Sequence, residues 1–486
     1  MNCNTAATPV QFALGLANTQ ERDLNLSFHG ADRSVTGSCH LVECAGKRIL
    51  IDCGLHQGSR ELDEEKNAEP FGFDAAGIDY VLLTHAHLDH CGRLPLLAKR
   101  GFRGEIITTS GSRELARLVM LDAAHLHEED ARYRARSGGH DDASHATNEP
   151  LYSTLDALNC LDYFGRTAIY SQVIEVAAGV RATFIDAGHI LGSASIFLEL
   201  EEQSHSTNVL FSGDLGNAGR LLLRSPTQPP HAENVVMETT YGDRLHKQLG
   251  PSIDEFYQAI NETFKRGGNV IIPTFALERA QELLYFLSEG VTQGRLTKST
   301  QVYLDSPMAI SATEIFRRHP ECFEPATAKL FQEGHDPFTL PGLHFTRETA
   351  ESVAINNIHG GAIIMAGSGM CTGGRVRHHL QHNLGRADSS ILFVGYAAIG
   401  TLARRIVNGE KQVNIFGENI PVRARIYTIN GFSAHADQAE LLAWQKQTSA
   451  KRTFLVHGEE DPMKQFAAHL ADTRVEMPEP NQVFEL

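Results

Sequence analysis

The feature that most restricts how this chain can fold is the segment 80–92, YVLLTHAHLDHCG. An apolar run the length of one strand passes straight into His85, His87, Asp89 and His90. Along a strand and its immediate extension, residues two apart project to one side, so His85 and His87 can grip one ion. The chain then turns, and Asp89 and His90 can face a second ion beside the first. Imidazole and carboxylate suit zinc, and also manganese or iron. Four liganding residues in six positions after a strand are hard to account for by packing. One strand tip cannot complete two metal shells, so the fold has to carry further ligands to it.

Three other strand-to-loop junctions offer them. Residues 184–195, FIDAGHILGSAS, place His189 in a glycine-flanked loop. Residues 210–216, LFSGDLG, place Asp214 in a tight turn, and 454–459, FLVHGE, place His457 after another apolar run. Each alone reads as a turn cap or an exposed side chain. Together they complete two shells: His85, His87 and His189 on one ion, Asp89, His90 and His457 on the other, and Asp214 bridging. Asp52, in RILIDCG, also ends a strand and is expected to orient a ligand from behind.

The rest of the chain alternates strands and helices. Strands are expected at 24–28, 40–43, 48–51, 80–83, 105–108, 181–185, 195–200, 208–211 and 234–237, with helices at 92–99 and 111–136. The polar stretch 137–149, SGGHDDASHATNE, reads as an exposed loop or lid. From 253 the pattern becomes helix 253–265, strand 269–273, helix 277–288, strands 301–304 and 362–365, helix 374–383, strand 391–395 and helix 402–407. That order suggests a parallel sheet. A strand at 423–429, a helix at 438–447 and a strand at 453–456 are expected to return the chain to the first unit.

Composition removes several classes. No apolar run reaches the ~18 residues of a membrane helix, and 1–21 lacks the basic start and apolar block of a secretory signal. The eight cysteines form no CxxC pair, so reduced thiols and a cytoplasmic location are expected. Cys91, beside the histidine block, reads as a small buried residue rather than a ligand. A formal charge of −16 argues against a protein that coats nucleic acid, although bound cations can attract phosphates to an acidic body.

With these motifs in order, the chain resembles the metallo-β-lactamase superfamily, through Asp52, the block His85–His90, His189 and Asp214. It is more similar still to the nucleic-acid-cutting β-CASP branch, in which an acidic residue at a strand end precedes a large inserted domain and two late histidines. Here those are Glu238 in VVMETTYG, His435 in GFSAHAD and His457. Residues 274–284 (TFALERAQELL), 305–309 (DSPMA) and 367–375 (GSGMCTGGR) also resemble the inserted domain. Within the branch it looks most like the RNA-processing members, the nuclease subunit of the pre-mRNA cleavage and polyadenylation machinery and its prokaryotic relatives. Ribonuclease J is more distant, and its extra C-terminal domain is not expected here.

The resemblance implies a four-layer αββα metallo-β-lactamase fold with an inserted α/β β-CASP domain: body 1–242, insert 243–422, closing segment 423–486, and an active site in the cleft between, gated by domain opening. It implies two Zn2+ per chain, with Mn2+ also suitable. Asp52 and Asp89 would support catalysis, a metal-bridging hydroxide would attack phosphorus, and His435, kept protonated by Glu238, would protonate the leaving oxygen. Products would carry 5′-phosphate and 3′-hydroxyl ends, whether cleavage is internal or from the 5′ end. The expected partner is single-stranded RNA, with no membrane, and a homodimer is compatible. Gly367, Ser368, Gly369, Arg375, Arg279 and Ser433 are candidate substrate contacts, since a glycine-rich loop entering a helix presents N–H groups to phosphate. His378 and His382, four apart on the helix that follows, could bind metal but read as cleft-wall or packing residues. Rival readings are a DNA nuclease of the same branch, a small-molecule hydrolase of lactamase or thioesterase type, and an inactive scaffold. A small-molecule enzyme needs neither the insert nor the Glu238–His435 pair, and a scaffold would have lost ligands that are all in place here.

Overall fold

In the computed structural model, residues 24–58, 60–136, 149–395, 397–398 and 400–486 are described, the side chains of 60–63 excepted. The expected loop at 137–149 falls, but for Glu149, outside them.

Alternation of apolar side chains along the strands dictates the layering. In Lys47–Ile51, Ile49 and Ile51 face one core while Leu50 faces another, and in Asn234–Glu238, Val236 faces opposite to Val235 and Met237. Strands that are apolar on both faces must be covered on both. A seven-stranded sheet runs in the order Val483–Glu485, Asn25–Phe28, His40–Cys44, Lys47–Ile51, Tyr80–Leu82, Glu105–Thr109, Phe164–Ala168. A second seven-stranded sheet runs Arg474–Glu476, Arg452–Val456, Asn234–Glu238, His205–Phe211, Ala194–Glu202, Val180–Asp186, Val173–Ala177. Phe28, Ile49, Ile51 and Leu82 of the first pack against Phe184, Ile196, Phe211 and Phe454 of the second. Outside the first sheet lie Leu94, Leu97, Leu115 and Met120 of the helices Leu94–Lys99 and Ser110–Arg136. Outside the second lie Leu441, Trp444, Met463 and Phe466 of Gln438–Thr448 and Glu460–Ala467. The result is the four-layer αββα sandwich.

A six-stranded parallel sheet, in the order Leu343–Phe345, Gln301–Leu304, Ala362–Ala366, Val270–Pro273, Ser390–Val394, Arg425–Ile429, forms the insert. Helices cover both its faces, with Phe256, Leu283 and Phe316 on one side and Leu380 and Ile406 on the other. The insert is seated on the body: Leu223 bridges to Phe323, and Arg318 and His319 pair with Glu114 of the long helix Ser110–Arg136.

Three differences from the sequence reading are instructive. The strand Arg425–Ile429, expected with the closing segment of the body, pairs in parallel with Ser390–Val394 and completes the insert's sheet. Its alternation fits either sheet, and only the partner decides. Phe164–Ala168 and Val173–Ala177 were not foreseen; both are edge strands with mostly exposed or half-exposed side chains, so no apolar period marks them. The helix Thr154–Leu161 was also passed over, although Ser153 and Asp156 form a capping box at its start. Among the described residues no helix is long and apolar enough to cross a membrane.

Candidate metal centre

The strands Lys47–Ile51, Tyr80–Leu82, Val180–Asp186, His205–Phe211, Asn234–Glu238 and Arg452–Val456 all end at one edge of the sandwich, and the expected ligands follow them. Parallel pairing sets Glu238 opposite Val456, so His457 emerges beside Thr239 although more than two hundred residues separate them in the chain. Close backbone approach fixes the histidine block. His87 precedes the short helix Leu88–Cys91, and Gly54 lies so near that a Cβ there would sit 1.6 Å from the Asp89 carbonyl oxygen. Cys53 N–H donates to the His90 carbonyl at 2.7 Å. Asp52 and His457 both adopt left-handed backbone, at φ 61° and 48°, a conformation costly for non-glycine residues and one that gathers at functional sites.

Two pockets result. In the first, His85 Nε2 and His189 Nε2 each lie 3.1 Å from His87 Nδ1, and 3.5 and 3.6 Å from Asp214 Oδ2. In the second, His90 Nε2 lies 3.3 Å from His457 Nε2 and 3.3 Å from Asp214 Oδ1, and His457 Nε2 lies 3.5 Å from Asp89 Oδ2. Asp214 thus gives one oxygen to each pocket. A tetrahedral zinc with bonds of about 2.0–2.1 Å needs ligand atoms about 3.3–3.4 Å apart, so both donor sets have the right span. Asp214 Oδ1 is buried without a hydrogen-bond partner, which a cation would supply. The residues present therefore fit a pair of metal ions.

Electrostatics differ between the pockets. Burial, reinforced in turn by His90 and by His435, holds the imidazoles of His85 and His189 far below their ordinary pKa, and burial brings His87 to about 4. All three are neutral lone-pair donors. Burial also opposes charge on His90, but Asp214 and Asp52 outweigh it and raise His90 well above the ordinary range. His457 is raised against its burial by Asp214 and Asp89. The second pocket is a carboxylate field made for positive charge, and metal entering it has to displace protons.

The outer ring nitrogens are held from behind. Asp52 Oδ2 accepts from His90 Nδ1 at 2.7 Å and from the Thr84 hydroxyl at 2.8 Å, while its Oδ1 accepts Thr84 N–H at 2.8 Å. Asp52 therefore sits behind His90, as expected of it. His189 Nδ1 lies 3.0 Å from the Ala434 carbonyl, and the Thr240 hydroxyl lies 3.1 Å from His457 Nδ1. Such partners fix tautomer and ring orientation. Thr84 and Thr240 were not singled out from sequence. Their only signal is adjacency, one directly before His85 and the other two residues after Glu238. Cys91 is buried, with Sγ toward the Ala86 carbonyl at 3.5 Å, outside both pockets.

Glu238 and His435 meet beside the first pocket. Glu238 is fully buried, its Oε1 accepting Leu215 N–H at 2.6 Å, and both carboxylate oxygens lie 3.2–3.3 Å from His435 Nδ1. His435 Nδ1 is 4.0 Å from Asp214 Oδ2. Burial disfavours its charge, but Glu238 and then Asp214 and Asp89 carry its pKa up to about 9. Ser433 is engaged with the His435 backbone, its hydroxyl accepting His435 N–H at 3.2 Å.

The expected substrate contacts fare unevenly. Gly369 lies directly against the half-exposed ring of Phe275, 2.9 Å from where a Cβ would stand. Ser368 bonds within its own loop, to Gly373. Gly374, at φ 73°, packs on the Gly367 carbonyl so closely that a side chain there would collide with it. Arg375, expected to face phosphate, is instead committed to Asp305 at 2.7 Å and to the Thr346 and Arg347 carbonyls. Arg279 is likewise buried and paired with Glu282. Arginine is mostly exposed, and the sequence gives no sign of the buried carboxylates that claim these two. His378 stacks on Phe416, a packing role as expected.

Comparison with known proteins places the architecture. Residues 33–257 match the family model of the metallo-beta-lactamase superfamily, 280–406 that of the Beta-Casp domain, and 419–478 that of the Zn-dependent metallo-hydrolase RNA specificity domain. The chain is 39% identical over 434 residues to Ribonuclease TTHA0252 of Thermus thermophilus, covering 89% of this chain and 93% of that one. It is 32% identical over 458 residues to Transcription termination factor FttA of Methanocaldococcus jannaschii, covering 91% of this chain and 68% of the other. A solved structure of a protein of unknown function from Enterococcus faecalis V583 shares the fold, with a TM-score of 0.53 at 11% identity over 96% of this chain and all of that one. A two-pocket centre at the edge of an αββα sandwich, an inserted parallel sheet and three consecutive family matches agree: the chain belongs to the β-CASP branch of the metallo-β-lactamase superfamily.

Proposed function

We propose that this chain is a dinuclear zinc ribonuclease that hydrolyses phosphodiesters of single-stranded RNA and leaves 5′-phosphate and 3′-hydroxyl ends. His85, His87, His189 and Asp214 would hold one ion, and Asp89, His90, His457 and Asp214 the other. When bound, such a pair lowers the pKa of a water and neutralises charge on phosphoryl oxygens. The remaining work falls to this chain's own side chains. Asp52 and Thr84 orient His90, and Ala434 orients His189. His435, with Nδ1 held by Glu238, keeps a proton on Nε2 for the leaving oxygen.

The observation that carries the reading is the Glu238–His435 pair, an imidazole whose Nδ1 lies 3.2 Å from a buried carboxylate oxygen, outside both pockets yet 4.0 Å from the shared carboxylate. The names of the relatives, a ribonuclease and a transcription termination factor, support RNA as the substrate. We divide the chain into a body, 1–242 and 430–486, and an insert, 243–429. The pairing of Arg425–Ile429 supports moving the second boundary past Ile429.

The test is one assay: metal content by mass spectrometry, with cleavage of end-labelled RNA and DNA by wild type and Asp89→Ala. We expect two zinc ions per chain, RNA cut in preference to DNA, and no cleavage by the variant. Preference for DNA would favour the alternative substrate. Cleavage that persists in the variant would reject the site.

A further inference from the structure

Between the body and the insert lies a second constellation of charge, wholly buried and one bond removed from a metal pocket. Arg220, 3% exposed, stands in the loop after Asp214. Its Nη1 donates to the backbone carbonyl of His189 at 2.8 Å. Its Nη2 donates to Glu278 Oε1 at 2.8 Å and Glu282 Oε1 at 3.4 Å, both at the start of the insert helix Arg279–Thr292. Arg279 pairs with the other oxygen of Glu282, so two guanidinium and two carboxyl groups share one buried site.

Removing so many ionisable groups from water is expensive, and such clusters seldom gain stability over apolar packing. This one is also strained. Glu278 sits at φ 62°, ψ −60°, and Arg279 N–H donates to the Leu277 carbonyl at 2.7 Å, which together make the rare γ-turn of positive φ. Residues held in so sparse a region persist where the surroundings over-determine them, and they gather at sites where the geometry matters. Here the turn aims the Glu278 carboxylate at Arg220. The loop that Arg220 grips carries His189, whose ring is fixed at Nδ1 by Ala434 while its Nε2 faces the first pocket.

We propose that Arg220 is a positioning residue through which the inserted domain sets the geometry of the first metal pocket. Glu278 and Glu282 of the insert hold Arg220, Arg220 holds the His189 backbone, and His189 takes its place opposite His87. The proposal rests on the assignment of His189 as a metal ligand.

Zinc titration of the full-length chain, stripped and then loaded in competition with a chromophoric chelator, tests it. Wild type should show two binding steps. Arg220→Lys keeps the charge but replaces the planar fork by a point donor. It should weaken one step by about 10–100-fold, the usual cost of losing an outer partner of a ligand, with the other step unchanged. Glu278→Gln should act in the same direction. Arg224→Lys is the control: Arg224 Nε joins the same seam by donating to the Phe323 carbonyl at 3.1 Å, and it should leave both steps intact. Melting of the zinc-free proteins shows that each variant folds. Wild-type steps in both Arg220→Lys and Glu278→Gln would overturn the proposal, as would equal weakening in Arg224→Lys. A wild-type chain that takes up no zinc would instead reject the ligand assignment beneath it.

Discussion

The molecule holds two clusters each built on a buried aspartate and histidine, around Asp214 in the body and around Asp305 in the insert, and they behave in opposite ways. Asp305 is fully buried and accepts from His379 Nε2 at 2.7 Å, Ser352 at 2.6 Å, Thr346 at 2.7 Å and Arg375 at 2.7 Å. Burial works against its charge, but these donors hold its pKa at about 2. Around Asp214 the donors are withheld. Imidazole nitrogens face one another at 3.1 Å and one carboxylate oxygen has no hydrogen-bond partner. A carboxylate whose two oxygens are both engaged is a rivet, even with His379 Nδ1 left without a partner behind it, whereas one left open among converging imidazoles is a receptacle. The hydrogen bonds of the two carboxylates mark the difference: both Asp305 oxygens are engaged, and one Asp214 oxygen is not.

The largest test of that contrast is in the catalytic half. His435→Ala should lower kcat for RNA cleavage by about 10²–10⁴-fold, the range of a general acid, with bound zinc unchanged. A variant that loses zinc in proportion to its activity would place His435 among the ligands. In the insert, Asp305→Ala should leave the half-buried Arg375 without its carboxylate and His379 Nε2, Ser352 and Thr346 without their acceptor, and cost about 3–5 kcal/mol of stability, read by denaturant titration. Zinc affinity should not move with it. Equal stability of Asp305→Ala and wild type would mean that the two clusters are not the opposites described.

Sequence showed one of these clusters and hid the other. The block at His85–His90 is dense enough to betray a site, and His189, Asp214 and His457 follow because strands end before them. The rivet has no such density. Asp305, Thr346 and Ser352 come from separate elements and meet Arg375 and His379 of one helix start, and the histidine that matters, His379, lies between the two, His378 and His382, that spacing drew attention to. Arg220 is equally silent, a lone arginine in a polar loop whose buried partners arrive from the insert. The same limit misassigned Arg425–Ile429, because a strand's alternation names its faces and not its neighbours.

Two smaller effects sharpen the comparison within the catalytic half. Asp52→Asn keeps the shape behind His90 but removes the charge, and zinc affinity should fall about 10–100-fold by competition titration, with little change in melting of the zinc-free chain. An unchanged affinity would make Asp52 a packing residue. The smallest effect is in pH. His435 has its folded pKa raised above the ordinary value, to about 9, so the stabilising Glu238–His435 ion pair is complete below about 6.5 and is lost as pH rises through about 9. Cleavage that uses the His435 proton should fade on the same alkaline side. Glu238→Gln should move that limb about 1–3 units lower, since one adjacent opposite charge is removed. A limb that stays in place would assign the proton to another group.

The register that pairs Glu238 with Val456 has a consequence for the timing of the protein's own birth. His90 and His457 are 367 positions apart, so on a ribosome adding about 5–20 residues per second the second pocket lacks its last imidazole for roughly 20–70 seconds after the first histidines emerge. Throughout that interval the growing chain is tethered to a messenger, the class of molecule proposed as its substrate. Placing the insert ahead of Arg452–Val456 delays completion of the second pocket until the whole insert has been made.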